Sequence, residues 1–104
     1  MKLYGLNNCD TCRKARKQFP DVEFVDYRDT PVAPKALKKW ALQVGGFEKL
    51  VNKASPTWRS LPSQEFASDD AWLAAIAEHP TLIKRPVLER DDGTIVQGRD
   101  VFNS

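Results

Sequence analysis

Two cysteines lie three positions apart in the stretch NNCDTCRKARK, which spans residues 7–17. They are Cys9 and Cys12, the only cysteines of the chain. The residues before them predict a strand and the residues after them predict a helix. A thiol at such a junction lies beside unpaired backbone N–H groups, which stabilise a thiolate and lower the thiol pKa below its usual value of about 8.5. We therefore predict that Cys9 is a nucleophile.

Cys12 lies one turn into the predicted helix, on the same face as Ala15 and Phe19. From there it can attack a mixed disulfide on Cys9, so we predict that it is the resolving thiol. The alternative is that either cysteine is a small buried apolar residue, because a CxxC pair alone is weak evidence. A structural zinc needs about four Cys or His ligands, and the single histidine, His79, is far away in sequence. We expect no metal and no bound cofactor.

Length and charge set the class of protein. The chain has 104 residues, 41% of them hydrophobic, and a net charge of +2. These values predict one folded domain over residues 1–104, without the concentrated positive charge of a nucleic-acid-binding protein and without a membrane partner. The opening residues MKLYGLNNC lack the apolar stretch and cleavage site of a secretory signal, so we expect a cytoplasmic protein whose cysteines are thiols at rest.

The first half of the chain alternates strands and helices. KLYGL at residues 2–6 predicts a strand, residues 11–19 predict a helix that ends at Pro20, and VEFVDYR at residues 22–28 predicts a second strand. A longer helix follows and ends at Gly45, where a glycine commonly closes a helix. Its buried face is predicted to consist of Leu37, Trp40, Ala41 and Val44.

The second half predicts further helices and a closing hairpin. Residues 47–67 predict short helices and turns, and SDDAWLAAIAEHP predicts a helix capped by Ser68. Two short strands, 87–89 and 94–96, flank an Asp-Gly turn, which is a strong hairpin signal. The elements together predict an α/β fold: a mixed sheet with flanking helices and a helical insertion over about residues 35–80 before the hairpin.

The segment YGLNNCDTCRKA resembles the opening of the arsenate-reductase-like family of thioredoxin-fold proteins, which includes the Spx regulators and the YffB-type proteins. The segments TWRSL, IKRPVL and QGRD follow in the order and spacing of that family, over nearly the whole chain. The resemblance is strongest to the YffB-type members. It implies that the mixed sheet is thioredoxin-like.

The resemblance also implies roles for individual residues. The residue that matches Cys9 is the nucleophile of the family, and those that match Arg59, Arg85 and Arg99 converge on it to hold an anion. Guanidinium groups suit this role because they stabilise a thiolate and bind a carboxylate or oxyanion in a bidentate fork. Pro86 matches the cis-proline of thioredoxin folds, where the preceding backbone faces the substrate.

Three functions remain open at this point. The first is a glutathione-linked thiol–disulfide oxidoreductase that uses Cys9 and Cys12, with glutathione as a possible co-substrate. The second is an arsenate reductase, in which the same arginines bind the oxyanion. The third is a Spx-like regulator that binds RNA polymerase and is switched by a Cys9–Cys12 disulfide. The three arginines favour an enzyme acting on a small thiol or oxyanion, and Cys12 favours disulfide exchange over arsenate.

Overall fold

A computed structural model of the chain describes residues 1–61 and 68–103. The chain forms two compact units, one made of Met1–Thr30 with Lys84–Ser104 and the other of Pro31–Ile83. The hypotheses of one domain over residues 1–104 and of an insertion over about residues 35–80 stay predictions. In the part of the chain that the structure describes, no helix is long and apolar enough to cross a membrane.

The first unit contains a four-stranded sheet in the order β2-β1-β3-β4. Its strands are β1 (Lys2–Gly5), β2 (Glu23–Asp26), β3 (Val87–Glu89) and β4 (Ile95–Gln97). Strand β1 runs parallel to β2 and antiparallel to β3, which in turn pairs antiparallel with β4. The sheet is therefore mixed, and the predicted α/β class with its closing hairpin is confirmed.

One face of this sheet carries the core of the first unit. Leu3 pairs with Phe24 on one side and with Leu88 on the other, so apolar side chains meet across three strands. Helix α1 (Asp10–Gln18) and a terminal 3₁₀ helix (Gly98–Asn103) complete this core. Its buried members are Leu3, Ala15, Leu88 and Val101, with Phe19, Val22, Phe24, Val96 and Phe102 packed against them.

Helix α1 has the single inward stripe that its spacing predicts. Cys12 and Ala15 are completely buried, whereas the cationic side chains between and after them are exposed. The helix ends at Gln18, directly before Phe19 and Pro20. Since Pro20 disfavours helical backbone at the residue before it, this stop follows from sequence.

Several strand and helix boundaries differ from the sequence prediction by one or two residues, and two of them have a clear physical reason. Strand β2 ends at Asp26, two residues earlier than predicted, because the chain turns there and the N–H of Thr30 donates to the carbonyl of Asp26 at 2.9 Å. Strand β4 begins at Ile95 rather than Thr94. The turn holds Thr94 itself, since the Asp92 carboxylate accepts from the Thr94 N–H at 2.9 Å and from its hydroxyl at 2.6 Å.

The second unit is helical. It contains α2 (Pro34–Val44), α3 (Phe47–Leu50), α4 (Pro56–Ser60), α5 (Asp69–Glu78) and a 3₁₀ helix (Pro80–Leu82). Gly45 closes α2 with a left-handed φ of 98°, as predicted, and the hydroxyl of Ser68 caps α5 by accepting from the Ala71 N–H at 3.3 Å. The predictions for residues 62–67 lie outside the described residues.

Candidate functional site

Cys9 caps the N-terminus of α1. Its backbone is extended, with φ −97° and ψ 123°, and its carbonyl accepts the first helical bond from the N–H of Arg13 at 3.0 Å. The half-buried thiol follows a turn that is closed by the Cys9 N–H donating to the carbonyl of Leu6 at 3.3 Å. The strand-to-helix placement predicted for Cys9 is therefore present.

The turn before Cys9 is held by the end of β2. The buried carboxylate of Asp26 accepts from the N–H of Asn7 at 3.0 Å and from the N–H of Arg28 at 2.9 Å. The guanidinium of Arg28 donates in turn to the side-chain oxygen of Asn8 at 3.2 Å. Burial alone would raise the pKa of Asp26, but these N–H groups and the charge of Arg28 outweigh it and lower the pKa.

Cys12 packs against the end of β1, where only glycine leaves room for it. A Cβ on Gly5 would lie 2.5 Å from the Cys12 sulfur and 3.2 Å from its Cβ. Burial raises the pKa of Cys12 to about 11, and a hydrogen bond and charge interaction with Cys9 act in the same direction, whereas the N–H of Leu6 opposes them. Cys12 therefore keeps its proton at neutral pH.

For Cys9, the influences that lower the thiol pKa outweigh the effect of burial. Burial alone would raise its pKa, but the nearby backbone N–H and thiol of Cys12, the charge of Arg85 and the N–H of Thr11 together lower it. The Cys9 sulfur makes no side-chain cap bond of ordinary geometry, so these N–H groups act mainly as oriented dipoles. The pair consists of a thiol that ionises readily and a neighbour that donates to it.

Arg85 reaches Cys9 because of the strand order. Strand β3 runs antiparallel to β1, with Val87 opposite Tyr4, so the residues before β3 lie beside the end of β1. The half-buried guanidinium of Arg85 hydrogen-bonds the Cys9 sulfur and the Tyr27 oxygen. The next peptide bond, Arg85–Pro86, is cis, as the sequence predicted.

Tyr27 was not found by sequence reasoning. It is the first residue after β2, its side chain is buried, and its oxygen accepts from Arg85. Burial raises the pKa of Tyr27 well above its usual value, although the charge and hydrogen bond of Arg85 work against this. The pattern VEFVDYR marks Tyr27 only as a strand residue, and its meeting with Arg85 depends on the pairing of β2, β1 and β3.

The other two predicted arginines have different surroundings. Arg59 is exposed on α4 in the second unit, and Arg99 is exposed on the terminal 3₁₀ helix. Their convergence with Arg85 stays a prediction, as do the site roles of Cys9, Cys12, Arg85 and Pro86. Among residues 1–61 and 68–103, no three His, Cys, Asp or Glu side chains form a group that could hold a metal ion.

A mixed four-stranded sheet with a CxxC pair at the start of its first helix defines a class of protein: the thioredoxin-like α/β proteins with a thiol site. Within that class, the sequence model of the ArsC family matches residues 4–100. The chain belongs to the ArsC family.

Known proteins resemble the chain over most of its length. A protein of Haemophilus influenzae described only as uncharacterised is 39% identical over 100 residues, which cover 90% of this chain and 87% of that protein. A structure of the YffB protein is 28% identical with a TM-score of 0.84, covering 98% of this chain and 93% of its own. The arsenate reductase from Vibrio cholerae is 26% identical with a TM-score of 0.80, and the match covers 99% of this chain and 94% of that protein. The predicted arsenate-reductase-like family, YffB-type included, is confirmed.

Proposed function

We propose that this protein is a thiol–disulfide oxidoreductase that acts on glutathione-type disulfides, with Cys9 as nucleophile and Cys12 as resolving thiol. The observation that carries the proposal is the asymmetry of the pair: Cys9 lies half-buried at the N-terminus of α1, whereas Cys12 is completely buried against Gly5 one turn further on. This placement agrees with a lowered pKa for Cys9 and a raised pKa for Cys12. A thiolate attacks disulfides far faster than a thiol does, and a lower leaving-group pKa speeds departure.

The reaction has two exchange steps. The Cys9 thiolate attacks one sulfur of the substrate disulfide, forms a Cys9–substrate bond and releases the other sulfur as a thiolate. Cys12 then loses its proton and attacks the Cys9 sulfur, so that a Cys9–Cys12 disulfide forms and the second substrate thiolate leaves. The substrate disulfide gains two electrons and two protons, and the protein dithiol loses them. Two molecules of a cytoplasmic thiol such as glutathione would restore the dithiol and leave as their disulfide, so net turnover requires a mixed disulfide of glutathione with another thiol as the substrate.

The cationic side of the site suits an anionic substrate. Glutathione carries two carboxylates, and the guanidinium of Arg85 can hold one of them in a bidentate fork. The same charge stabilises the thiolate before attack and the departing thiolate afterwards. We place this chemistry in the cytoplasm, where the two free cysteines would be kept reduced.

A trapping experiment tests the order of the two steps. The protein is mixed with glutathione disulfide and analysed by intact mass spectrometry. We expect Cys12→Ser to accumulate a mixed disulfide between Cys9 and glutathione, because its resolving thiol is gone. Cys9→Ser should accumulate none. Equal adduct formation in both variants, or none in Cys12→Ser, would overturn the proposal.

Arsenate is the second candidate, because a structural neighbour at 26% identity is described as an arsenate reductase. There the Cys9 thiolate would attack arsenic and a water would leave. A thiol would then attack the Cys9 sulfur, form a disulfide and release arsenite with the electron pair of the S–As bond. Arsenite production from arsenate and glutathione, measured beside disulfide turnover in the same preparation, decides between the candidates.

A further inference from the structure

We propose that Tyr27 is a positioning residue, which holds the Arg85 guanidinium on the Cys9 sulfur without neutralising its positive charge. The inference deepens the proposed function, since it concerns how the same thiolate is stabilised. It rests on the placement of Tyr27 between the ends of two strands and on its contact with Arg85.

The backbone of Tyr27 is fixed at the end of β1. Its N–H donates to the carbonyl of Gly5 at 3.2 Å, directly after the paired residues Gly5 and Asp26. Gly5 is also the residue against which the Cys12 sulfur packs. One short stretch of β1 therefore sets both the position of Tyr27 and the position of the CxxC pair.

The side chain of Tyr27 has little freedom. It is only 1% exposed, so its ring is enclosed on all sides, and its oxygen meets the guanidinium of Arg85. The five donors of a guanidinium lie in one plane, so an acceptor on one edge orients the donors that remain. The same guanidinium also interacts with the Cys9 sulfur, so an acceptor that fixes its orientation also fixes the donors that Cys9 meets.

A phenol suits this task better than a carboxylate. Arg28 shows the alternative within the same unit: its Nε lies 3.9 Å from an Asp26 oxygen, so a full negative charge lies beside the cation. Tyr27 accepts a hydrogen bond while staying neutral, and burial keeps its proton in place. The whole charge of Arg85 then acts on the thiolate of Cys9 or on a bound anion.

The test is the pH dependence of Cys9 alkylation in Tyr27→Phe, with Tyr4→Phe as the matched control. Tyr4 is a partly buried tyrosine of β1 whose hydroxyl meets Glu89 rather than Arg85. We expect Tyr27→Phe to shift the profile to higher pH and to slow alkylation near pH 7 about threefold to tenfold, the range that the net contribution of one ordinary hydrogen bond implies. Tyr4→Phe should match the wild type.

A double-mutant cycle separates this role from a merely structural one. If Tyr27 acts through Arg85, Tyr27→Phe should cause no further shift once Arg85→Gln is present. An equal shift in both backgrounds, or no shift in the wild-type background, would overturn the proposal.

A second measurement covers the case in which Tyr27→Phe fails to fold. In ¹⁵N spectra of the wild-type protein, the Arg85 Nε–H, assigned through Arg85→Gln, should exchange with solvent more slowly than that of exposed Arg99. Equal exchange rates would contradict an oriented guanidinium. The alkylation assays use iodoacetamide and not the biological substrate. Failure of the glutathione assay would therefore not contradict the role of Tyr27, and failure of the Tyr27 test would not contradict the proposed function.

Discussion

Cys9 and Cys12 show how much the surroundings of one residue type decide its chemistry. Both thiols belong to one motif, yet Cys9 lies half-buried at the helix terminus and Cys12 is completely buried against Gly5. The Cys9 sulfur accepts a hydrogen bond and lies near a positive charge, whereas the Cys12 sulfur is shielded from water. Hydrogen bonds and charge favour ionisation of one sulfur, while burial disfavours ionisation of the other.

The first prediction is that limiting iodoacetamide at pH 7 labels Cys9 well before Cys12. The pKa of Cys9 is lowered, so its thiolate fraction exceeds that of Cys12, which has a pKa of about 11 and should react only as the pH approaches that value. Peptide mass spectrometry over a pH series measures both sites in one sample. Equal labelling at pH 7 would contradict the assignment of nucleophile and resolving thiol.

At the residue scale, sequence predicted Cys9, Cys12 and Arg85 but missed Tyr27 and Asp26. The cysteines and the arginine lie in segments whose spacing or resemblance marks them before any fold is known. The two missed residues lie in the ordinary strand pattern VEFVDYR. Their contacts with Asn7 and Arg85 arise only when distant segments pair, which no local pattern records.

Among the elements, β1 has the strictest requirement, because its last residue must lack a side chain. The second prediction is that Gly5→Ala destabilises the protein by about 1–3 kcal/mol, the usual cost of overpacking. The added Cβ would meet the Cys12 sulfur at 2.5 Å, so the thiol or the strand must move. Urea unfolding measures the change in free energy.

The control for Gly5→Ala is Lys2→Ala, on the same strand but exposed. It should change the free energy of unfolding by less than about 0.5 kcal/mol. We also expect faster alkylation of Cys12 in Gly5→Ala, since displacement of α1 would expose it. Unchanged stability and unchanged Cys12 reactivity would show that the strand end tolerates a side chain.

The turn between β1 and α1 gives the third prediction, which concerns pH. The folded-state pKa of Asp26 is lowered, so its carboxylate stabilises the protein above the unfolded pKa of about 3.9, and this contribution is lost as the pH falls through the folded value. Asp26→Asn should therefore cost about 1.5–3 kcal/mol at pH 7, since it weakens two hydrogen bonds to a charged group.

At an acid pH below the folded-state pKa of Asp26, the same substitution should cost much less, because the wild-type carboxyl is then protonated too. Asp21→Asn, at an exposed position before β2, is the matched control and should change little at either pH. Urea unfolding of the three proteins at both pH values makes the comparison. A difference between wild type and Asp26→Asn that stays constant with pH would contradict an ionised Asp26.

Element boundaries followed from sequence where a local breaker sets them. Pro20 and Gly45 end helices where predicted, and Asp92-Gly93 closes the predicted hairpin, with Gly93 at a left-handed φ of 87°. The end of β2 was placed too late because Tyr27 has good strand propensity. The hydrogen bonds of Asp26, a non-local feature, turn the chain there instead.

For the whole molecule, the strand order is what assembles the thiol site. Parallel pairing of β1 with β2 brings Tyr27 to the end of β1, and antiparallel pairing with β3 brings Arg85 to the same end. The sequence predicted the mixed sheet, because alternating strands and helices before a hairpin allow few other arrangements. It did not predict which side chains meet, because that depends on register.

The last prediction concerns the anion site as a whole, on which the choice between enzyme and redox switch depends. The resemblance to the arsenate-reductase-like family predicts that Arg59 and Arg99 bind the anion together with Arg85. If so, alanine at any of the three should weaken glutathione or arsenate binding by roughly tenfold to a hundredfold, the cost of one charged hydrogen bond. Arg16→Ala is the control, because that guanidinium lies 4.4 Å from the centre of the Phe24 ring. Calorimetric titration of the four variants measures the affinities.

A loss of affinity confined to Arg85→Ala would reduce the anion site to a single arginine. If the wild type binds neither ligand at high concentration, both enzyme proposals fail, and a Cys9–Cys12 redox switch that binds RNA polymerase becomes the leading hypothesis, since a switch needs the two thiols but no anion site.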